Sequence, residues 1–396
     1  MTLSLYEKLG IDPNKDAVRE IFNRIIDNEY PGAFVNIISD PFDTKRVITQ
    51  HQDGDGSKFI QRLMNMMADG NYDYRLLKGM VDDALSMNTG DIAAAGFVFG
   101  PWIITDVINF GLAKDIKKDL MLAVAERLFE LRDLYQQNGF HIKFLGGETA
   151  DLPDQVKSGV FDIAITAWAN KKDIIKGNIQ AGDVIYGFAS NGRAIWEEEE
   201  NSGIMSNGLT MARSVLMSKD YNQFPKFKRD GDFYRGNMKP NHSVGLLKGV
   251  TVGQALTSPT RQWAIVIRKI MEELERKNAL HLLHGITMNT GGGATKIRHL
   301  GKGGIRYYKE MPPVPPLFSL IQIRSQEEWR AMYQTFNCGI GIDVVGQDSR
   351  LFRDALKAVS EECQINLHRL GECRAQTEEK ANNSVLIYSP YGVWEY

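Results

Sequence analysis

Apolar and polar positions alternate along this chain in two patterns. Helical spacing predicts helices over residues 16–28, 76–95, 119–137 and 209–217, and another that starts at Ser258-Pro259. Two-residue alternation and short apolar runs predict strands over residues 46–50, 141–145, 161–169 and 183–189. The mixture favours an α+β fold, with layers of strands and helices in both halves.

The length of the chain, 396 residues, favours two domains. We place the boundary at residues 178–182, which gives an N-terminal domain of residues 1–178 and a C-terminal domain of residues 179–396. Residues 218–252 are polar and aromatic with little periodicity, so they are interpreted as an irregular insertion.

Composition excludes several classes of function. The formal net charge is −2 and basic residues are scattered, which argues against a nucleic-acid partner. No apolar run approaches the roughly 20 residues that span a bilayer. The first residues show no signal-peptide core, and the three cysteines have no metal-site spacing. We therefore expect a cytoplasmic protein with reduced thiols.

Four acids of the first half are candidates for a magnesium and phosphate site: Asp53, Asp83, Asp91 and Glu148. Carboxylate oxygens suit Mg²⁺, and Mg²⁺ suits phosphate oxygens. Nearby glycines allow backbone N–H groups to approach phosphates, and Lys58 supplies a positive charge. Asp83 and Asp91 are about two helical turns apart and can share a face. Spacing alone is equally compatible with solvated surface acids or caps.

The second half offers anion-binding candidates, each with a structural alternative. Ser206-Asn207-Gly208 precedes a predicted helix, so it is either an anion site or only a cap. The glycines at 291–293 approach an anion or simply turn the chain. Arg261, expected in a first helical turn where the macrodipole disfavours a cation, indicates a bound anion or a salt bridge. His284 lies in an apolar stretch typical of a core histidine.

Seven segments, in order from about residue 50 to residue 342, resemble motifs of the phosphoribosylformylglycinamidine cyclo-ligases, also called aminoimidazole ribonucleotide (AIR) synthetases. Gln-Asp-Gly-Asp-Gly-Ser-Lys at 52–58 is similar to the family's Thr-Asp-Gly-Val-Gly-Thr-Lys. Gly-Gly-Glu-Thr-Ala-Asp-Leu-Pro at 146–153 is similar to Gly-Gly-Glu-Thr-Ala-Glu-Met-Pro. The other similar segments are residues 83–92, Met-Ser-Asn-Gly at 205–208, Pro-Thr-Arg at 259–261, Thr-Gly-Gly-Gly at 290–293 and residues 332–339.

The resemblance implies two domains of the AIR-synthetase type, with an N-terminal mixed sheet that pairs in a homodimer and an α/β layered C-terminal domain. It implies an ATP-dependent ligase of purine biosynthesis that forms a C–N bond, converting formylglycinamidine ribonucleotide to AIR with ATP and Mg²⁺. The implied metal ligands are the four acids named above. The implied nucleotide-binding residues add Lys58, Gly146, Gly147 and Thr149. The implied substrate-binding residues are Ser206, Asn207, Gly208, Thr260, Arg261, Thr335 and Asn337, and the implied catalytic set is Asp53, Lys58, Asp91, Arg261 and Asn337.

Several departures from the family pattern leave alternatives open. Asp55 is an extra acid in the first loop, Met205 stands where the family has histidine, and residues 193–203 and 218–252 are insertions. We expect His242 or His284 to take over the role of that histidine. The alternatives are another ATP-using member of the superfamily, such as a small-molecule kinase, or a non-catalytic nucleotide-binding paralogue.

Overall fold

The computed structural model describes residues 4–11, 21–22, 24–68, 73–111, 114–224, 231–376 and 382–396. Of the helix predicted over residues 16–28, residues 16–20 and 23 lie outside these ranges, residues 21–22 are helical, and residues 24–28 form a turn and irregular chain. A short helix, α1 (Leu5–Lys8), opens the described chain and is capped by Ser4 and Glu7.

The first domain is built on a five-stranded mixed sheet. Its strands are β1 (Ile38–Ser39), β2 (Arg46–Gly54), β3 (Pro101–Phe110), β4 (His141–Asp151) and β5 (Gly159–Asn170), in the order β1-β2-β5-β3-β4. Strands β3 and β4 are parallel and the other neighbours are antiparallel. Three helices accompany the sheet: α2 (Lys58–Ala68), α3 (Gly79–Ala94) and α4 (Lys114–Gln137).

The two faces of this sheet differ in burial. On the central strand β5, odd-numbered residues such as Ile163 and Ile165 are fully buried against the helices. Even-numbered residues from Val160 to Trp168 are exposed or half-buried on the opposite face. Helix α3 is buried along its whole length because it lies between the sheet and the second domain. One face of the sheet is therefore covered and the other is open.

The second domain begins after the segment 171–182, within which the proposed boundary falls. Its strands are β6 (Asp183–Ala189), β7 (Asn191–Gly192), β8 (Asn201–Ser202), β9 (Leu283–Met288), β10 (Ile305–Glu310), β11 (Ile340–Gln347), β12 (Leu367–Ala375), β13 (Ser384–Ser389) and β14 (Gly392–Glu395). Seven form a sheet in the order β14-β13-β10-β12-β6-β11-β9, while β7 and β8 form a separate hairpin. The helices are α5 (Leu209–Leu216), α6 (Val252–Thr257), α7 (Trp263–Arg276), α8 (Pro316–Ser325), α9 (Trp329–Thr335) and α10 (Arg350–Cys363). The two-sheet α+β architecture expected from the sequence is confirmed.

One predicted helix start is wrong, and one predicted side-chain cap is absent. The helix expected at Ser258-Pro259 begins at Trp263, because the N–H of Thr260 donates to Asp83 instead of entering a helical turn. Helix α5 is preceded by Gly208 in the left-handed conformation, φ 80°, and no side chain caps it. A Cβ at Gly208 would collide with the Phe336 ring, so glycine is required there for both space and backbone angle. Within the described chain, no helix is long and apolar enough to cross a membrane.

Candidate functional site

The end of β2 and the end of α3 bring three titratable side chains together. His51 and Asp53 lie two residues apart on β2, so both side chains point to the covered face of the sheet. His51 Nε2 lies 3.4 Å from Asp91 Oδ2 on α3, and His51 Nδ1 lies 2.9 Å from Asn88 Oδ1. Two of the four predicted metal ligands, Asp53 and Asp91, are thus neighbours, with a histidine beside them.

The electrostatics of this cluster are set by burial and mutual charge. Burial and the charge of Asp91 raise the pKa of Asp53. Burial alone would raise the pKa of Asp91, but the charges of Lys296 and His51 outweigh it and the pKa is lowered. Burial would lower the pKa of His51, but its interactions with Asp91 outweigh burial, and the pKa is raised. Asp91 is therefore held as a carboxylate.

The glycine triplet of the second domain faces the same cluster. The segment Gly293–His299 is a 3-10 helix, and it carries Lys296. Lys296 Nζ lies 3.9 Å from Asp91 Oδ2 and donates a hydrogen bond of 2.7 Å to Thr290 Oγ1. The first domain supplies acids and the second a cation, so the cluster lies at the junction of the domains.

The first glycine loop contacts the start of α5. Ser57 Oγ lies 3.1 Å from Thr210 Oγ1, and Arg213 Nη1 donates to the Ser57 carbonyl oxygen at 2.7 Å. A Cβ placed on Gly291 would lie 3.5 Å from Asn207 Oδ1, so the glycine triplet also approaches this helix start. The Ser206 hydroxyl is buried and has no hydrogen-bond partner among the described residues. Three glycine-containing motifs therefore meet around Ser206 and Asn207.

Lys58 and Asp83 form a separate buried network. Lys58 Nζ donates to Asp83 Oδ1 at 2.8 Å and to the Ser258 carbonyl oxygen at 2.6 Å, and both charged side chains are fully buried. Arg62 Nη2 donates to Asp83 Oδ2 at 2.6 Å, and Thr260 donates to Asp83 Oδ1 through its N–H and its hydroxyl. Burial would raise the pKa of Asp83, but Lys58 and Arg62 lower it. In this arrangement Lys58, Asp83 and Thr260 tie the two domains together.

Arg261 and Asn337 are engaged by the insertion at 193–203. Arg261 Nε and Nη2 donate to the two carboxylate oxygens of Glu197 at 2.8 Å, and Arg261 Nη1 donates to the Ala189 carbonyl oxygen at 2.7 Å. Asn337 Nδ2 donates to the Gly203 carbonyl oxygen at 2.9 Å. Of the two explanations offered for Arg261, the structure shows the salt bridge, and Arg261 precedes α7 rather than lying in its first turn. The last residue of this substrate-side set, Thr335, ends α9 and is buried.

The motif Gly146-Gly147-Glu148-Thr149 lies on the edge strand β4. Glu148 and Thr149 are exposed, and Glu148 Oε1 accepts a hydrogen bond from the Thr149 N–H at 2.8 Å. Asp53 pairs with Ile163, Ile163 with Asp106, and Asp106 with Gly147. Three strand spacings, roughly 14 Å, separate the Asp53 and Gly147 backbones. Glu148 therefore does not join Asp53 and Asp91 within one chain.

The histidine at the site is one that sequence reasoning missed. Met205 is buried in the core, His242 is exposed, and His284 Nδ1 lies 2.8 Å from Asp183 Oδ2, at the end of β9 remote from the glycine triplet. His51 is the histidine that contacts Asp91. The period of two along β2 could have revealed it, since residues 51 and 53 share a face. Lys296 was also missed, because its contact with Asp91 is long-range.

The cluster fits a divalent cation held partly by a bound ligand. Asp91 Oδ1 is buried and has no hydrogen-bond partner among the described residues. Over the described ranges, no three His, Cys, Asp or Glu side chains are grouped as ligands of one metal ion. Mg²⁺ is commonly bound by one or two carboxylates together with substrate phosphates and water, which matches this donor set.

Comparisons with known proteins agree with this architecture. No family model matches the chain. The chain is 28% identical over 267 residues to the phosphoribosylformylglycinamidine cyclo-ligase of Methanococcus vannielii, covering 66% of this chain and 62% of that protein. It is 31% identical over 246 residues to the cyclo-ligase of Desulfitobacterium hafniense, covering 59% of each. The match thus spans less than two thirds of the length of these curated relatives.

A solved structure of the hydrogenase maturation protein HypE in complex with ATP superposes with a TM-score of 0.54 at 12% identity, covering 98% of this chain and 96% of that one. The chain therefore shares its fold with that protein. By sequence it is a distant homologue of the phosphoribosylformylglycinamidine cyclo-ligases.

Proposed function

We propose that this chain is an ATP-dependent cyclo-ligase that converts formylglycinamidine ribonucleotide to AIR, with Mg²⁺ as the metal. The observation that carries the proposal is the meeting of Asp53 and Asp91 with the Thr290–Lys296 segment at the domain junction. These residues come from motifs that resemble those of the cyclo-ligases, and the homology to that family spans both domains.

The chemistry asks mainly for positioning and charge neutralisation. An amide oxygen is a poor leaving group, and transfer of a phosphoryl group to it makes a good one, which a neighbouring nitrogen then displaces as the ring closes. Mg²⁺, when bound, would neutralise phosphate charge. Lys296 would add a fixed cation beside those phosphates, and the Ser206 hydroxyl would donate to a ligand oxygen. The glycines at 291–293 would allow backbone N–H groups to come close.

A second candidate is an ATP-using enzyme of the same fold that acts on a different substrate. It is favoured by one observation, the engagement of Arg261 and Asn337 by the insertion at 193–203. These are two of the residues that the resemblance assigns to the substrate, and Met205 stands where the family has a histidine. A small-molecule kinase and a non-catalytic paralogue both belong to this alternative.

The homodimer belongs to the same proposal. The open face of the five-stranded sheet carries exposed apolar side chains, including Val160 at 40% and Leu145 at 68% exposure. The Gly146–Thr149 motif lies on β4, the edge strand of this sheet, and does not contact Asp53 or Asp91. Pairing of two sheets would cover this face and give that motif a second set of neighbours, with ATP bound at the shared interface.

The deciding experiment incubates the chain with ATP, Mg²⁺ and formylglycinamidine ribonucleotide, and measures ADP and AIR together. We expect both products in equal amounts. Asp91→Asn should abolish turnover with the fold intact, because the carboxylate that the charge of Lys296 helps to hold ionised is lost. The control is Asp133→Asn, an exposed acid on α4. ADP without AIR would favour the second candidate, and neither product with nucleotide still bound would favour the non-catalytic paralogue.

A further inference from the structure

The imidazole of His51 is held in one tautomer by its neighbour. Asn88 Nδ2 donates to the carbonyl oxygens of Asp53 and Ala84, each at 2.9 Å. Because both donors of this amide are used, its Oδ1 is the atom that faces His51. An amide oxygen only accepts, so His51 Nδ1, 2.9 Å away, carries a hydrogen and donates it. The other ring nitrogen, Nε2, is therefore the one free to act.

His51 Nε2 faces an acceptor, not a donor. In the neutral ring with a hydrogen on Nδ1, Nε2 presents a lone pair, and the atom opposite is Asp91 Oδ2 at 3.4 Å. Two lone pairs at this distance need something positive between them, either a proton on Nε2 or a cation that both atoms bind. A proton would favour a shorter contact, since charge-assisted hydrogen bonds are usually about 2.7–2.9 Å.

The separation suits a shared metal ion. Two ligand atoms at about 2.1 Å from one cation, at tetrahedral or octahedral angles, are roughly 3.0–3.5 Å apart. The second oxygen of Asp91 is buried and unpartnered among the described residues, and Asp91 as a whole is 8% exposed. Lys296 is the nearby cation, but its Nζ is 3.9 Å from Asp91 Oδ2 and bonded to Thr290.

We propose that His51 Nε2 is a nitrogen ligand of the divalent cation at this site, shared with Asp91, and that this ligand makes the site bind Mn²⁺ more tightly than the Mg²⁺ of the proposed reaction. This inference rests on the proposed function, because bound nucleotide phosphates and water would complete the coordination. Mg²⁺ favours oxygen ligands. Mn²⁺ shares that preference, but as a first-row transition metal it also binds imidazole nitrogen more readily than Mg²⁺ does. The resemblance to the cyclo-ligases predicts carboxylates alone, so the nitrogen ligand is a property of this chain.

The test is Mn²⁺ bound to the full chain, with and without a non-hydrolysable ATP analogue. Pulsed electron paramagnetic resonance of the bound Mn²⁺ should show coupling to a histidine nitrogen, and labelling the histidines with ¹⁵N should change that coupling in the wild-type protein. His51→Gln should abolish the coupling and weaken Mn²⁺ binding about tenfold or more, while Mg²⁺ binding changes less. His242→Gln, which alters an exposed histidine, should change neither.

Bound Mn²⁺ without nitrogen coupling, or equal Mn²⁺ affinity in His51→Gln, would overturn the inference and leave His51 as a protonated partner of Asp91. Absence of Mn²⁺ binding under both conditions would overturn it as well. Failure of the proposed function is seen separately. If nitrogen coupling appears but no nucleotide binds, the metal site stands and the ATP-dependent activity does not. If nucleotide binds with Mg²⁺ and the coupling is missing, only the nitrogen ligand is wrong.

Discussion

Asp55 is a buried acid in the first glycine loop whose two carboxylate oxygens lack hydrogen-bond partners among the described residues. Its side chain is fully buried, and burial raises its pKa well above the usual value. The cyclo-ligase motif that this loop resembles has valine there. We expect Asp55→Val to raise the free energy of unfolding at pH 7 by about 1–3 kcal/mol, because an unpaired buried polar group is removed.

Denaturant unfolding of the two proteins measures this difference directly. Asp154→Asn is a useful control, because Asp154 is an exposed acid of the same domain. A less stable Asp55→Val protein would mean that the carboxyl group has a compensating partner, such as a bound cation or water, and the unpaired-acid interpretation would be wrong.

At the scale of single residues, the sequence predicted which motifs meet better than which side chains touch. Asp53 and Asp91 lie close enough for the charge of Asp91 to raise the pKa of Asp53. Lys58, on the other hand, donates to Asp83 and to the Ser258 carbonyl oxygen, a partner 200 positions away. Such a contact depends on how two domains are placed, and local spacing carries no information about it. The same holds for Lys296 beside Asp91.

Among the elements, the hairpin β7–β8 contains most of the shorter of the two insertions, residues 193–203. Its connection carries Glu197, which forms a bidentate pair with Arg261, whose side chain is 1% exposed. Glu197→Gln would leave the guanidinium buried without its countercharge. We expect a loss of about 1.5–3 kcal/mol in the free energy of unfolding, because hydrogen bonds to charged groups contribute at that level. Thermal and denaturant unfolding check this.

Glu199→Gln is the matched control, since Glu199 lies in the same connection and is exposed. It should leave stability unchanged. If Glu197→Gln proved equally harmless, the Arg261 pair would contribute nothing to the fold. Arg261 would then be free to serve a ligand, as the resemblance implies.

A buried ion pair holds a second element in place, the loop that carries the glycine triplet. Lys309 Nζ on β10 donates to Asp343 Oδ2 at 2.7 Å and to the Ala294 carbonyl oxygen at 2.9 Å, and both charged side chains are fully buried. Lys309→Met should cost about 3–5 kcal/mol of stability, because Asp343 is left as an uncompensated buried charge.

Replacing both partners separates charge from packing. Lys309→Met combined with Asp343→Leu should recover most of the loss, as paired apolar replacements of buried ions usually do. Chemical denaturation of the two single variants and the double variant gives the coupling between them. Additive losses in the double variant would show that the two side chains act independently.

Hydrophobic periodicity predicted well the bounds of elements that are uniformly buried. Strand β6 has the predicted bounds, because a fully buried central strand is a continuous apolar run. The helix expected at Pro259 fails as a prediction because its first residues bond to another domain: Thr260 donates to Asp83, and the Arg261 carbonyl oxygen accepts from Ser86. Long-range hydrogen bonds replaced the first helical turn there.

For the whole molecule, helix α3 unites the two domains. It packs on the five-stranded sheet through one side and on α7 through another, and its residues Asp83 and Asp91 reach the buried network and the candidate site respectively. The α+β composition followed from sequence patterns. The contacts at the junction of the two domains could not be predicted from those patterns. Each contact across the junction that helps to define the site joins residues more than 100 positions apart.

The open sheet face leads to the last prediction, which concerns assembly. Ala164 lies in the middle of that face on the central strand β5, paired with Gln52 on one side and Thr105 on the other. If two sheets pair through this face, Ala164→Arg would place a charge and a long side chain in the interface. We expect the wild-type protein to scatter light as twice 44.6 kDa and Ala164→Arg as 44.6 kDa.

The control is Leu122→Arg, which adds the same charge at an exposed position of α4, on the other side of the sheet. It should remain dimeric. Circular dichroism should show that all three proteins keep their secondary structure. An arginine on a sheet face that is exposed to solvent in the monomer requires no rearrangement of the core. If ATP is bound at the shared interface, the monomeric variant should also bind the nucleotide analogue more weakly. A wild-type protein of 44.6 kDa at micromolar concentration would contradict the dimer, and Glu148 and Thr149 would then have no role at the nucleotide site.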